Sequence, residues 1–173
     1  MAEASYDVIV VGAGIIGAST AHFLKKKGVD RVLLIDRGDP ASGGTGKSAA
    51  IVRSYYSIPV MARLAKEAVQ LFHNLEAEIG VDGGFHATGF TQLVPPDWVD
   101  TAKELVTMHQ SLDIDTDFVD ESQWAKRFPW LELDGIGAIV MENSSGYADP
   151  VQTTEGFVAA FTAAGGDFRS RTP

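Results

Sequence analysis

The sequence contains no cysteine. That excludes a disulfide framework, a cysteine-ligated zinc site and a thiol nucleophile. Its four histidines, His22, His73, His86 and His109, recur at no metal-ligand spacing, so no metal site is expected. There is no stripe of lysine and arginine to neutralise backbone phosphates, which argues against nucleic acid as a partner. The one long apolar stretch, residues 8–24, carries three glycines, is short for a membrane span and follows Asp7 rather than a basic region. It fits neither a spanning helix nor a signal or transit peptide, and the cytoplasm is the expected location. Repeats and low-complexity segments are missing as well.

What is present is globular: 173 residues, 45% hydrophobic and 21% charged. Charge is unevenly spread. Residues 1–96 balance nine acidic against nine basic side chains, whereas residues 97–134 hold ten acidic and three basic. The shift points to a separate structural unit in the middle of the chain, with a solvated acidic face as the plain alternative.

The run "YDVIVVGAGIIGASTAHFLKKKGVDRVLLID" carries the most information. Val8–Val11 is a continuous β-branched stretch, the pattern of a parallel strand buried on both faces. It runs into Gly12-Ala13-Gly14-Ile15-Ile16-Gly17. A helix follows, with Ile16, Ala21 and Leu24 expected to face a sheet and Lys25–Lys27 complementing the dipole before Gly28. Arg31–Ile35 reads as a second buried strand, ending at Asp36. In such a unit Gly12 permits the tight turn, Gly14 lets a pyrophosphate approach and Gly17 lets the helix pack on the strand. The helix N-terminus offers N–H groups to phosphate, and Asp36, 19 residues after Gly17, accepts from a ribose hydroxyl pair. An acid at this place favours NAD or FAD over NADP, although Arg37 beside it can accommodate a 2′-phosphate. The expected architecture is therefore an α/β Rossmann-like domain with a parallel sheet.

Residues 41–50, "ASGGTGKSAA", imitate a nucleoside-triphosphate loop, with Gly46-Lys47-Ser48 in its last places. The first glycine place holds Ala41, no strand leads directly in, and a phosphate site already exists one strand earlier. The loop instead suits close backbone approach further along an extended dinucleotide, with hydroxyls from Ser42, Thr45 and Ser48. Ser48–Val52 is expected to begin a helix.

The segments "DVIVVGAGIIGASTAHFLKKKG", "VLLIDRGDPASGGTGKSAAIVRSYYS" and "GYADPVQTTEGFVAAFTAAGGDF" together resemble the D-amino-acid oxidase and sarcosine oxidase group of FAD-dependent oxidoreductases. The similarity is greatest to sarcosine and dimethylglycine oxidases or dehydrogenases. It covers nearly the whole chain, with three motifs in the family's order. The resemblance implies FAD, with Gly12, Ala13, Gly14, Ile15, Ile16 and Gly17 around the pyrophosphate and Asp36 and Arg37 at the ribose. It places Ser42, Gly43, Gly46, Lys47, Ser48 and Ala49 along the cofactor towards the flavin. Some relatives attach flavin through a histidine at the place of Lys47; lysine forms no such bond, so non-covalent FAD is expected. The resemblance also implies that Arg53 meets a substrate carboxylate, with a salt bridge or a flavin-side contact as the alternative. Tyr55 and Tyr56 are both candidates for the same cavity. The implied reaction is oxidation of the C–N bond of a small secondary amine or amino acid, with oxygen or an electron-accepting protein as final acceptor. The alternatives are an NAD-binding dehydrogenase and a non-catalytic dinucleotide-binding module.

Residues 1–83 and 144–173 are assigned to an FAD-binding domain, and 84–143 to the beginning of an α+β substrate domain. Family members run to about twice this length, so the chain is expected to be an N-terminal fragment that by itself neither turns over amines nor holds FAD tightly. One long amphipathic helix is expected from Ser57 to Gly80, with Met61, Leu64, Ala68, Leu71, Leu75 and Ile79 on its buried face. Strands are expected at 85–94, 118–119 and 137–142, and helices at 97–112 and 151–164. Trp98, Trp124 and Trp130 are assigned to core or surface rather than to a cage.

Overall fold

The computed structural model describes residues 5–173, apart from the side chains of Glu121 and Arg127. In chain order the elements are β1 (Val8–Val11), α1 (Ile15–Lys26), β2 (Val32–Ile35), β3 (Ile51–Val52), α2 (Pro59–His73), α3 (Leu75–Ile79) and β4 (Phe90–Val94). Then come α4 (Val99–Ser111), β5 (Thr116–Phe118), α5 (Glu121–Arg127), β6 (Ala138–Glu142), β7 (Gly146–Tyr147), α6 (Pro150–Ala163) and β8 (Asp167–Arg169). They form two compact units, one of Met1–Ile51, Asn74–Phe85 and Tyr147–Pro173, the other of Val52–His73 and His86–Gly146.

The first unit is built on a parallel sheet in the order β1-β2-β8, with Val8 opposite Val32 and Leu33 opposite Asp167. Val32, Leu33 and Leu34 are buried in the central strand. β1 departs from the expected two-sided burial: Ile9 is 55% and Val11 78% exposed. It is the edge strand of the described sheet, so only alternate residues face the helices. α1 packs against α6: Ala18 and Ala21 of the one and Phe157 and Phe161 of the other are buried, and the His22 ring meets that of Phe157 edge-on at 5.6 Å. Ile16 is 80% exposed and does not face the sheet. α6 begins where Asp149 accepts N–H bonds from Val151 (2.8 Å) and Gln152 (2.9 Å), with Pro150 in the first turn.

A charged link joins α1 to α3 within this unit. Lys26 Nζ lies 2.6 Å from both carboxylate oxygens of Glu78, and His22 Nε2 lies 2.9 Å from Oε1. Lys26 above all, then His22, hold Glu78 below its ordinary value. A folded pKa below the unfolded one gives stability that is present above the unfolded value and lost as pH falls through the folded value. Lys26 is more than half exposed, so the link is worth under about 1 kcal/mol. Glu78→Gln is expected to flatten the acid limb of the stability curve by that amount; thermal melts that keep the wild-type acid limb would remove Glu78 from acid unfolding.

The second unit holds an antiparallel sheet in the order β4-β6-β5, with Phe90 and Thr116 both opposite Glu142. α4 covers one face, burying Ala102 and Val106 with Val94 and Val140, and Tyr55 and Val99 pack at the margin. α2 packs against α4 and buries Ala62 and Val69. The expected single helix from 57 to 80 is thus two helices, with a break at Asn74 (φ −119°, ψ 18°). The reason is that its two halves serve different cores: Leu75 and Ile79 are buried in the first unit, while α2 belongs to the second. The stripe of Met61 and Leu64 is exposed, because α2 turns its smaller residues inwards. Trp124 is buried, and Trp98 and Trp130 are exposed. Among the described residues no helix is long and apolar enough to cross a membrane, and no group of three or more acidic or histidine side chains is placed to hold a metal ion.

Candidate cofactor site

The site begins at the C-terminal end of β1. Gly12 has φ +104°, a conformation open to glycine, and its N–H donates to the Ile35 carbonyl at 2.7 Å. A Cβ on Gly17 would stand 1.8 Å from the Gly12 carbonyl oxygen. The turn and the first turn of α1 are therefore in backbone contact, and no other residue fits at 17. Gly14 is the N-cap of α1 and brings no side chain to it. The first-turn N–H groups and the positive end of the dipole are thereby directed at Gly14–Ile16, the arrangement that binds phosphate.

Asp36 closes this turn from the end of β2. Its Oδ2 accepts the Ala13 N–H at 2.6 Å and its Oδ1 the Gly38 N–H at 2.7 Å. The Gly38 bond first, then the Ala13 bond, and then the charge of Arg37 hold this carboxyl below the usual carboxylate range. It is ionised at neutral pH and keeps free lone pairs, since a carboxylate offers about four. It both orders the glycine turn and has acceptor capacity left for a ribose diol. Arg37 is exposed.

The second loop is attached to the first. The Ala41 N–H donates to the Ala13 carbonyl at 3.0 Å, and the Ile15 N–H donates to Thr45 Oγ1 at 3.1 Å. A short 3₁₀ turn, Thr45–Lys47, is closed by the Gly46 N–H on the Ala41 carbonyl at 2.9 Å. Ser42, Gly43, Gly46, Lys47, Ser48 and Ala49 are exposed along it. The helix expected from Ser48 does not form. Ser48 Oγ accepts the Ala50 N–H at 2.9 Å, Ala50 takes φ +46°, and the chain goes straight into β3. A serine hydroxyl that bonds the backbone two residues on competes with helix formation in this way. The sequence offers Thr45 only as one of three loop hydroxyls, not as the tie between the two loops. The hydroxyl itself is visible in the loop, but its pairing with an amide 30 residues earlier leaves no local signal.

The first unit thus gathers Gly12, Ala13, Gly14, Ile15, Ile16, Gly17 and Asp36 with the second loop. Arg53 belongs to the second unit. It is half-buried and donates to the Tyr55 carbonyl. Its guanidinium carbon lies 4.8 Å from the Tyr56 ring centre and 4.9 Å from that of Phe90, within cation–π range. No ion pair to Arg53 is found among the described residues, so the salt-bridge alternative finds no support there. Tyr55 and Tyr56 separate by environment. Tyr55 packs on the core of the unit, and burial, then the Glu142 charge, raise its pKa; Tyr56 stacks on Arg53.

Comparison with known proteins places this geometry. The family described as FAD dependent oxidoreductase matches residues 7–173. The chain is 26% identical to a mitochondrial dimethylglycine dehydrogenase of Rattus norvegicus over 86% of its own length and 17% of that protein's. It is 29% identical to the beta subunit of a sarcosine oxidase of Rhodobacter capsulatus, over 79% of this chain and 35% of that one. In fold it is similar to the crystal structure of L-proline dehydrogenase from P. horikoshii, with a TM-score of 0.89 and 24% identity, covering 98% of this chain and 45% of that one. The chain thus spans less than half the length of each of these proteins.

Proposed function

Because the chain belongs to the FAD dependent oxidoreductase family, we propose that its first unit holds FAD non-covalently and that the whole protein oxidises the C–N bond of a small secondary amine or amino acid. The observation that carries the reading is the double glycine loop. Two hydrogen bonds, to Ala13 and from Ile15, join the second loop to the phosphate-binding turn, so one backbone cradle runs from Asp36 to Ser48. A dinucleotide site without flavin needs only the first turn. That is the feature favouring FAD over the nicotinamide alternative. The substrate class comes from the relatives named for sarcosine and dimethylglycine.

When bound, FAD supplies an acceptor for a hydride equivalent from the carbon beside the amine nitrogen. The chain's own residues bind and orient. In the Gly12–Gly17 turn the N–H groups of Gly14, Ile16 and Gly17 face the pyrophosphate, Asp36 accepts from the ribose, and Ser42, Thr45 and Ser48 offer hydroxyls further along. Arg53 receives the substrate carboxylate: its charge is permanent, the aromatic rings of Tyr56 and Phe90 fix its plane, and its fork matches a carboxylate in two bonds. We assign residues 1–83 and 144–173 to the FAD-binding domain and 84–143 to the beginning of the substrate domain, although Val52–His73 fall in the second compact unit. Oxygen or a partner protein takes the electrons onward.

Titration of the whole protein with FAD and with NAD tests the reading: FAD is expected to bind and NAD to fail at equal concentration, and NAD binding without FAD binding would overturn it. For the whole protein, sarcosine, dimethylglycine or an amino acid is expected to bleach the bound flavin without air. Non-covalent attachment at Lys47 has its own test. Acid precipitation is expected to leave the yellow colour in the supernatant, and colour in a pellet whose flavin peptide contains Lys47 would contradict it.

A further inference from the structure

We infer that Glu142 is a positioning residue for Arg53, acting through the backbone of Ser54. The inference rests on the reading of Arg53 as the carboxylate-binding group. Glu142 ends β6 and is 0% exposed. Its Oε1 accepts the Ser54 N–H at 2.6 Å and the Ser145 hydroxyl at 2.6 Å, and both serines are buried. Ser54 is the residue between Arg53 and Tyr55. Holding its amide fixes the Arg53–Ser54 peptide unit, and the Tyr56 N–H on the Ser54 carbonyl at 2.8 Å carries this on to the Tyr55–Tyr56 unit, whose Tyr55 carbonyl accepts from the Arg53 guanidinium. The backbone of the same residue borders the other side of the guanidinium. Phe90, which lies under Arg53, is the register partner of Glu142 across β4 and β6. The turn that follows β6 is held to β4 by the Gly89 N–H on the Ser145 carbonyl at 2.7 Å. One oxygen therefore ties the turn after β6 to the segment that carries Arg53, while the backbone of β6 and of that turn holds the strand under it.

Packing does not account for this choice of residue. Among the described residues Glu142 Oε2, which is buried, finds no hydrogen-bond partner, and the buried hydroxyl of Thr116, opposite it on β5, is in the same condition. A side chain serving only to fill the core at this depth is better apolar, because a buried carboxyl with an unpaired oxygen is costly. Glu142 is instead accounted for by what its other oxygen holds. Arg53 itself finds no ion pair among the described residues, so its charge stays free for a ligand while its geometry is set from behind.

The test uses the chain with Glu142→Met, which keeps the volume and removes the acceptor, and Glu142→Gln, which keeps a carbonyl oxygen for the Ser54 N–H. Three readouts are taken: the melting temperature, the ring-current shift that Phe90 and Tyr56 impose on the Arg53 side-chain NMR signals, and the affinity for propionate as a carboxylate probe. Glu142→Met is expected to stay folded but to melt lower than wild type, because the buried Ser54 N–H and Ser145 hydroxyl lose their acceptor, and to lose the ring-current shift, expose the Ser54 amide to exchange and bind propionate about tenfold more weakly. Glu142→Gln is expected to restore the shift and to bind within about twofold of wild type. A Glu142→Met protein with an unchanged Arg53 shift would overturn the inference. So would a variant that simply fails to fold, since the role would then be structural. If the shift depends on Glu142 but the wild type does not bind propionate, the positioning stands and the carboxylate role of Arg53 falls.

Discussion

Gly17→Ala is expected to abolish dinucleotide binding while leaving the second unit folded. A methyl group at position 17 would stand 1.8 Å from the Gly12 carbonyl oxygen, far inside van der Waals contact, and backbone on both sides leaves no flexible side chain to yield. Either the turn opens or α1 moves off β1, and both disperse the N–H groups gathered at Gly14–Ile16. Loss of that array should weaken FAD by more than about a hundredfold, or roughly 3 kcal/mol. Because the clash is at the pyrophosphate, ADP should suffer the same loss as FAD. Calorimetric titration with both ligands checks this, and a Gly17→Ala protein that binds ADP normally would detach the glycine turn from the phosphate role.

Asp36→Ala is expected to weaken FAD about ten- to a hundredfold. A hydrogen bond to a charged group contributes roughly 1.5–3 kcal/mol, and this carboxylate already orders two backbone amides, those of Ala13 and Gly38. Part of the loss should therefore be indirect, through a looser glycine turn. Asp36→Asn keeps one carbonyl acceptor and should fall between wild type and alanine. The pH dependence has a definite sign. The folded-state pKa of Asp36 lies below its ordinary value, through the Gly38 and Ala13 amides. Its contribution is thus fully present above the ordinary carboxylate range and is lost as pH falls through the lower folded value. Affinity for FAD that does not fall on acidification in wild type, or does not differ between wild type and Asp36→Ala at neutral pH, would remove Asp36 from the site.

The part of the fold legible in the sequence is the part set by neighbours along the chain. β1, the glycine turn, α1, β2 and Asp36 follow one another within about thirty residues, and their spacing is the physics of the site. The start of α6 is legible for the same reason, since Asp149 and Pro150 stand next to the turn they cap. What failed depends on partners distant in sequence. Val11 reads as buried because the pattern cannot tell a central strand from an edge. Residues 57–80 read as one helix because their periodicity is continuous, although α2 and α3 belong to different units. The strand expected from residue 85 begins at Phe90. α5 escaped notice although Asp120 caps it, accepting from Ser122 and Gln123. In the site itself, glycine spacing gave the first loop, while the bond from Ile15 to Thr45 and the clamp from Glu142 to Ser54 span 30 and 88 residues and have no local signature.

The central claim is that two loops of the first unit form one cradle for FAD. Hydrogen exchange of the backbone amides, with and without excess FAD, tests it most directly. The account expects Gly12–Gly17 and Thr45–Ser48 to gain protection together on adding FAD, and adding ADP to protect Gly12–Gly17 alone. Exchange in both loops that is unchanged at saturating FAD, or protection confined to the second unit, would contradict it.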